Sequence, residues 1–155
     1  MAFDRPVWVG PFLVDENGGI TPPRDRDARF TVRWRGCVMH AALRVVDGPS
    51  DDTAERIELR MLAVLGRVPS SAEASGEARN QVLTMLRDAS REAAGPLRLG
   101  LSADHRVLMR ECRDLAQPLT SRALMAEVTG FVLGVAPYLD FAAESGVAPA
   151  GMVKI

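Results

Sequence analysis

The sequence predicts an α+β domain: an antiparallel β-sheet with two main helices packed on it. Apolar residues alternate with polar ones over 29–35, 37–46 and 57–65, the period of strands that bury one face. They recur every three or four residues over 82–89 and 124–139, the period of amphipathic helices. The segments between are short, which favours hairpins over parallel crossovers.

The first segment, 7–14, is apolar and rich in β-formers. It ends at Asp15-Glu16-Asn17-Gly18-Gly19, whose Asn-Gly step suits a turn with positive φ. Pro11 has no amide donor, so this strand is expected at a sheet edge or with a bulge at Gly10-Pro11. Pro22-Pro23 and the charged run 24–27 make a solvated connector. The clearest strand is 29–35, with Phe30, Val32 and Trp34 on one face and Arg29, Thr31, Arg33 and Arg35 on the other. Gly36 breaks it, and 37–46 returns as its hairpin partner with Cys37, Met39, Ala41, Leu43 and Val45 on one side.

Residues 47–52 have loop composition, after which Ile57, Leu59, Met61, Ala63 and Leu65 alternate with Glu58 and Arg60 in another strand. A helix follows over 72–94, carrying Val82, Leu83, Met85, Leu86 and Ala89, and Gly95-Pro96 stops it. Leu97 to Leu101 and Arg106 to Cys112 form a second hairpin around the turn 102–105, with Val107 and Met109 opposite Leu108. Thr120 caps the last helix, whose stripe is Leu124, Val128, Phe131, Val135 and Leu139. Pro137 predicts a kink or short break near 135–138, and Gly146 a stop. Residues 1–146 read as one domain, followed by a loose small-residue tail over 147–155.

With 155 residues, 47% of them hydrophobic and 25% charged, the chain can bury a core without disulfides or metals. Nineteen basic and twenty acidic side chains leave a charge of -1, so no global field attracts phosphate backbones or anionic lipid. Neither nucleic acid nor membrane is an expected partner. No apolar run suits a signal peptide and no stretch approaches the span of a bilayer, from which a cytoplasmic location is expected. Cys37 and Cys112 form no closely spaced pair and read as buried thiols.

Candidate chemistry is sparse. Cys37 and His40 are three apart on a strand and so face opposite sides, while His105 and Cys112 are the only other soft ligands; a metal site is not expected. His40 or His105 could meet Ser70, Ser71 or Cys112 in space, but no nucleophile elbow surrounds any of them. Gly18-Gly19 lead into prolines, and Gly95, Gly100 and Gly130 are isolated, so no phosphate-cradling loop and no cofactor is expected. The arginine face at Arg29, Arg33 and Arg35, with Trp34 and Trp8 as aromatic anchors, suits a carboxylate or an acidic peptide; charges there equally keep a sheet face solvated. The candidate partner-binding residues are therefore Trp8, Arg33, Trp34 and Arg35.

One segment carries a resemblance. Ile57-Glu58-Leu59-Arg60-Met61-Leu62-Ala63-Val64-Leu65-Gly66-Arg67-Val68-Pro69 precedes a helix, then Leu97-Arg98-Leu99-Gly100-Leu101 and a turn into Arg106-Val107-Leu108-Met109. From Ile57 onward this order resembles the small secretion chaperones of bacterial type III systems. The resemblance implies an antiparallel sheet flanked by helices, a homodimer, and capture of an extended segment of another protein without ATP or metal. The expected function is thus a non-enzymatic protein-binding module, chaperone-like or regulatory. The competing expectation is a small enzyme or ligand sensor with a pocket built on His105 and Asp104.

Overall fold

The computed structural model describes residues 5–47, 55–93 and 95–148; the loop composition at 48–52 and the tail beyond Ala148 lie outside the described residues. The fold is α+β, with two antiparallel sheets and two helices. The alternating segments become β4 (Ala28–Trp34), β5 (Cys37–Val46) and β6 (Arg56–Arg67). Trp34 pairs with Cys37 across a two-residue turn, and both turn residues, Arg35 and Gly36, have positive φ (50° and 75°), as a tight hairpin matched to strand twist requires.

After α1 (Gly76–Glu92), the hairpin β7 (Arg98–Leu101) and β8 (Arg106–Leu115) completes a five-stranded sheet in the order β4-β5-β6-β8-β7. The long strand β8 inserts beside β6, so the two hairpins join through a nonlocal antiparallel pairing. A bulge near Gly66 interrupts the β6–β8 register. There the carbonyl of Ala148 and the side chain of Val147 lie where a Cβ on residue 66 would sit, so only glycine admits them. Val147 is buried, and Ala148 and Arg67 exchange backbone hydrogen bonds of 2.8 and 2.9 Å. The packing therefore runs two residues past Gly146, into the start of what reads in the sequence as a loose tail.

The apolar segment 7–14 makes two strands where the sequence suggests one. β1 (Val7–Val9) and β2 (Phe12–Val14) form a hairpin, because Gly10, at φ 56°, turns the chain at the position expected to bulge. With β3 (Ile20–Thr21) they make a second, three-stranded sheet. Phe12 meets the ring of Phe30 edge to face at 5.5 Å, and the Ile20 amide donates to the Leu119 carbonyl, which fastens this sheet to the main body.

Both helices are capped by hydroxyls that accept a backbone N–H at 3.2 Å: Ser75 from Ala78, and Thr120 from Ala123. α2 (Ser121–Glu144) runs unbroken through Pro137, contrary to the expected kink or break. Proline removes one intrahelical donor, whereas Phe131, Val135 and Ala142 stay buried on the sheet on both sides of it, and that packing outweighs the loss. By length and composition α2 is apolar enough to cross a membrane, at mean hydropathy 1.3, so a bilayer-length stretch does exist in the chain. Here its stripe of Leu124, Val128, Phe131, Val135 and Ala142 lies in the same core as Met39, Leu43, Leu59 and Met109. Val82 and Leu86 of α1 join that core, so both helices cover one face of the large sheet.

Candidate functional site

Alternation decides what the other face carries. With Cys37, Met39, Ala41, Leu43, Leu59, Met61 and Ala63 turned inward, the intervening residues turn outward. Register then aligns them across strands. One row is Arg29–Ala42–Arg60–Cys112; the next is Thr31–His40–Leu62–Arg110–Arg98. Beyond it Val64, Leu108 and Gly100 form an apolar row. Leu108 is only 6% exposed although it stands outside the main core cluster, a burial that the sequence pattern, which merely set it opposite Val107 and Met109, does not foresee.

An open groove of about 730 Å³ runs between the first two rows, with Arg29 and Arg60 on one wall and His40, Leu62 and Arg110 on the other. The methyl group of Ala42 leaves its middle low. Arg29 pairs with Asp27 at 3.2 Å, and Arg60 with Glu58. Arg33 and Arg110 make no ion pair among the described residues, and Arg98 donates to the carbonyls of Gly95 and Leu97. Cys112, read from the sequence as buried, is exposed at the end of the first row; desolvation and the nearby Glu58 push its thiol up. Cys37 is buried, and its Sγ–H donates to the Val64 carbonyl at 3.4 Å.

The sequence-derived anchors scatter. Arg33 lies on this outer face, exposed. Arg35 leaves the strand at the turn and, instead of extending the arginine face, donates to both carboxylate oxygens of Asp140 on α2, at 2.6 and 3.3 Å, while its guanidinium stacks 5.4 Å from the Trp34 ring. Trp34 is half-buried against the core, on the face opposite Arg33. Trp8 belongs to the small sheet and is 61% exposed. The structure thus joins Trp34 to Arg35 and separates both from Arg33 and Trp8. Ala42, Arg60, Leu62 and Arg110 are the residues that sequence reasoning missed, and His40 was weighed there only for metal binding or catalysis. Their signal was present as the complement of the core stripes, but only strand register assembles them.

His105 and Asp104 sit in the exposed β7–β8 turn, His105 at φ 64° with its Nε2 3.1 Å from Arg79. Asp104 accepts from the Ser102 hydroxyl, which holds its carboxyl down, and pairs with Arg106 at 2.8 Å. Neither residue lines the groove. Among the described residues no group of three or more His, Cys, Asp and Glu is placed to hold a metal ion. No protein-family model, curated protein or solved structure matches the chain.

Proposed function

We propose that the chain is a non-enzymatic binding module, chaperone-like or regulatory, that holds a partner polypeptide on the outer face of its five-stranded sheet. The observation that supports this most is the sheet itself: both helices share one face, and the other presents a groove with a small-residue floor between basic walls. The element order β6-α1-β7-β8-α2, which gave the resemblance to type III secretion chaperones, is consistent with that reading. Ala42→Trp fills the groove without touching the core. Affinity capture from the native cell with wild-type and Ala42→Trp chains is expected to recover a partner at least tenfold less with the variant at unchanged melting temperature. Equal recovery would falsify the assignment of the binding face.

The same reading includes a homodimer in the cytoplasm. On α2, Met125 and Leu133 are 64% and 62% exposed, flanked by Ala126, Thr129 and Gly130. From Ala123 to Leu139 the helix carries one charged side chain, Glu127, and it reaches to Arg113 at 2.8 Å. An uncharged stripe with large apolar tips suits a second copy of the chain. Light scattering should give twice the chain mass, and a strict monomer removes this part of the proposal.

A further inference from the structure

We infer that the outer sheet face takes an acidic, extended polypeptide segment, its carboxylates held by Arg60, Arg110 and Arg33 and its apolar side chains resting on Leu62 and Val64. This rests on the proposal that the face binds a polypeptide, and adds the chemistry of what binds.

Charge is the first argument. The acidic groups of this face are already engaged: Asp27 by Arg29, Glu58 by Arg60, Asp104 by Arg106 at 2.8 Å and Asp114 by Arg56 at 3.5 Å. Arg33 and Arg110 make no ion pair among the described residues, and Arg98 donates only to the backbone carbonyls of Gly95 and Leu97. A chain whose net charge is -1 therefore concentrates uncompensated cations on the one sheet face its helices leave open. Guanidinium forks bind carboxylates in a bidentate manner, and partial shielding by the sheet strengthens each contact.

Shape is the second. The groove crosses from β4 to β8, three strand spacings, or about 14 Å, which about four extended residues span. Glu58 engages Arg60 at Nε, and among the described residues the two terminal nitrogens of Arg60 stay open to a carboxylate of the segment, one strand spacing, about 5 Å, from the strand that carries the unpaired Arg110. Leu62 in the groove wall and Val64 beside it, both half-buried, give alternate side chains of the segment an apolar contact. A nucleic-acid strand fits less well, because the outward positions of the sheet carry a single ring, that of His40, and successive bases need several to stack on.

Cys112 supplies a native reporter, since it ends the row that contains Arg60 and is exposed, whereas Cys37 is buried. The probes are a fluorescein-labelled peptide of glutamate-leucine-aspartate repeats, its glutamine-leucine-asparagine and lysine-leucine-arginine counterparts, and a single-stranded DNA oligonucleotide. Each is titrated by anisotropy against the full chain and tested for protection of Cys112 from maleimide. The acidic peptide is expected to bind, to slow Cys112 alkylation at least about threefold, and to lose affinity about five- to tenfold with Arg110→Ala and again with Arg60→Ala. Arg91→Ala, on the exposed side of α1, leaves binding unchanged, and thermal melts confirm that each variant is folded. If the glutamine-asparagine peptide binds as well and protects Cys112 equally, the acidic chemistry is wrong while the binding face stands. If no peptide protects Cys112, both fall. Tighter binding of the oligonucleotide than of the acidic peptide overturns the proposal in favour of a nucleic acid.

Discussion

Glu111 is 4% exposed and sits on the helix-covered side of β8, in line with Val107 and Met109. Arg113, two residues on and on the same side, pairs with it and reaches Glu127 on α2 at 2.8 Å. One guanidinium thereby compensates a buried carboxylate and ties the longest helix to the sheet. Removing it strands a charge in low dielectric, so Arg113→Ala should cost about 3 kcal/mol in urea unfolding, at the low end of the range because Arg113 itself is 40% exposed. Glu111→Gln in the same background should restore much of the loss, since a neutral amide tolerates the site. Glu73 behaves differently because it is exposed. The Ser70 amide and hydroxyl, together with Arg67, hold its carboxyl down from 4.5 to about 2. A depressed native pKa contributes stability above about pH 4.5 that is lost as pH falls toward 2. Glu73→Gln should therefore flatten the acid limb of the stability profile within that window, with variant and wild type converging near pH 2 when unfolding is followed by circular dichroism.

The two faces of α2 separate packing from association. Val135 is fully buried against the sheet, whereas Leu133 is 62% exposed two residues away. Val135→Ala should lower stability by about 1–3 kcal/mol and leave the oligomeric state alone. Leu133→Arg should do the reverse, leaving the melting temperature of the folded chain within a few degrees while converting a dimer to a monomer in light scattering. A dimer that survives Leu133→Arg places its interface elsewhere. Element boundaries were legible in the sequence where capping and breaking residues punctuate them, as at Thr120 and Gly95-Pro96, whereas the first helix, expected from residue 72, starts only after its cap at Ser75. They were misread at 7–14 and at Pro137. In the first case Gly10 permits a turn tighter than a bulge; in the second, burial on both sides of the proline holds the helix together.

Across the whole molecule, the small sheet, the large sheet and both helices contribute to one cluster of buried side chains, with Phe12 and Ile20 as the contribution of the small sheet. Unfolding should accordingly be a single transition. Phe12→Ala should shift it downward by about 10 °C in calorimetry, without an early separate phase. An isolated low-temperature transition would mean that the small sheet is an independent unit. Local order was written in the sequence itself: which residues point inward along β4, β5 and β6, where the last helix starts, and that the structure is α+β, because side-chain period and capping depend on neighbours in the chain. Only the tertiary structure could decide that Arg35 meets Asp140, that Arg113 serves Glu111 and Glu127 together, and that His40, Arg60 and Arg110 share one groove. Those contacts follow from cross-strand register and from the insertion of β8 beside β6, which depend on the balance of burial over the whole sheet rather than on any local run of residues.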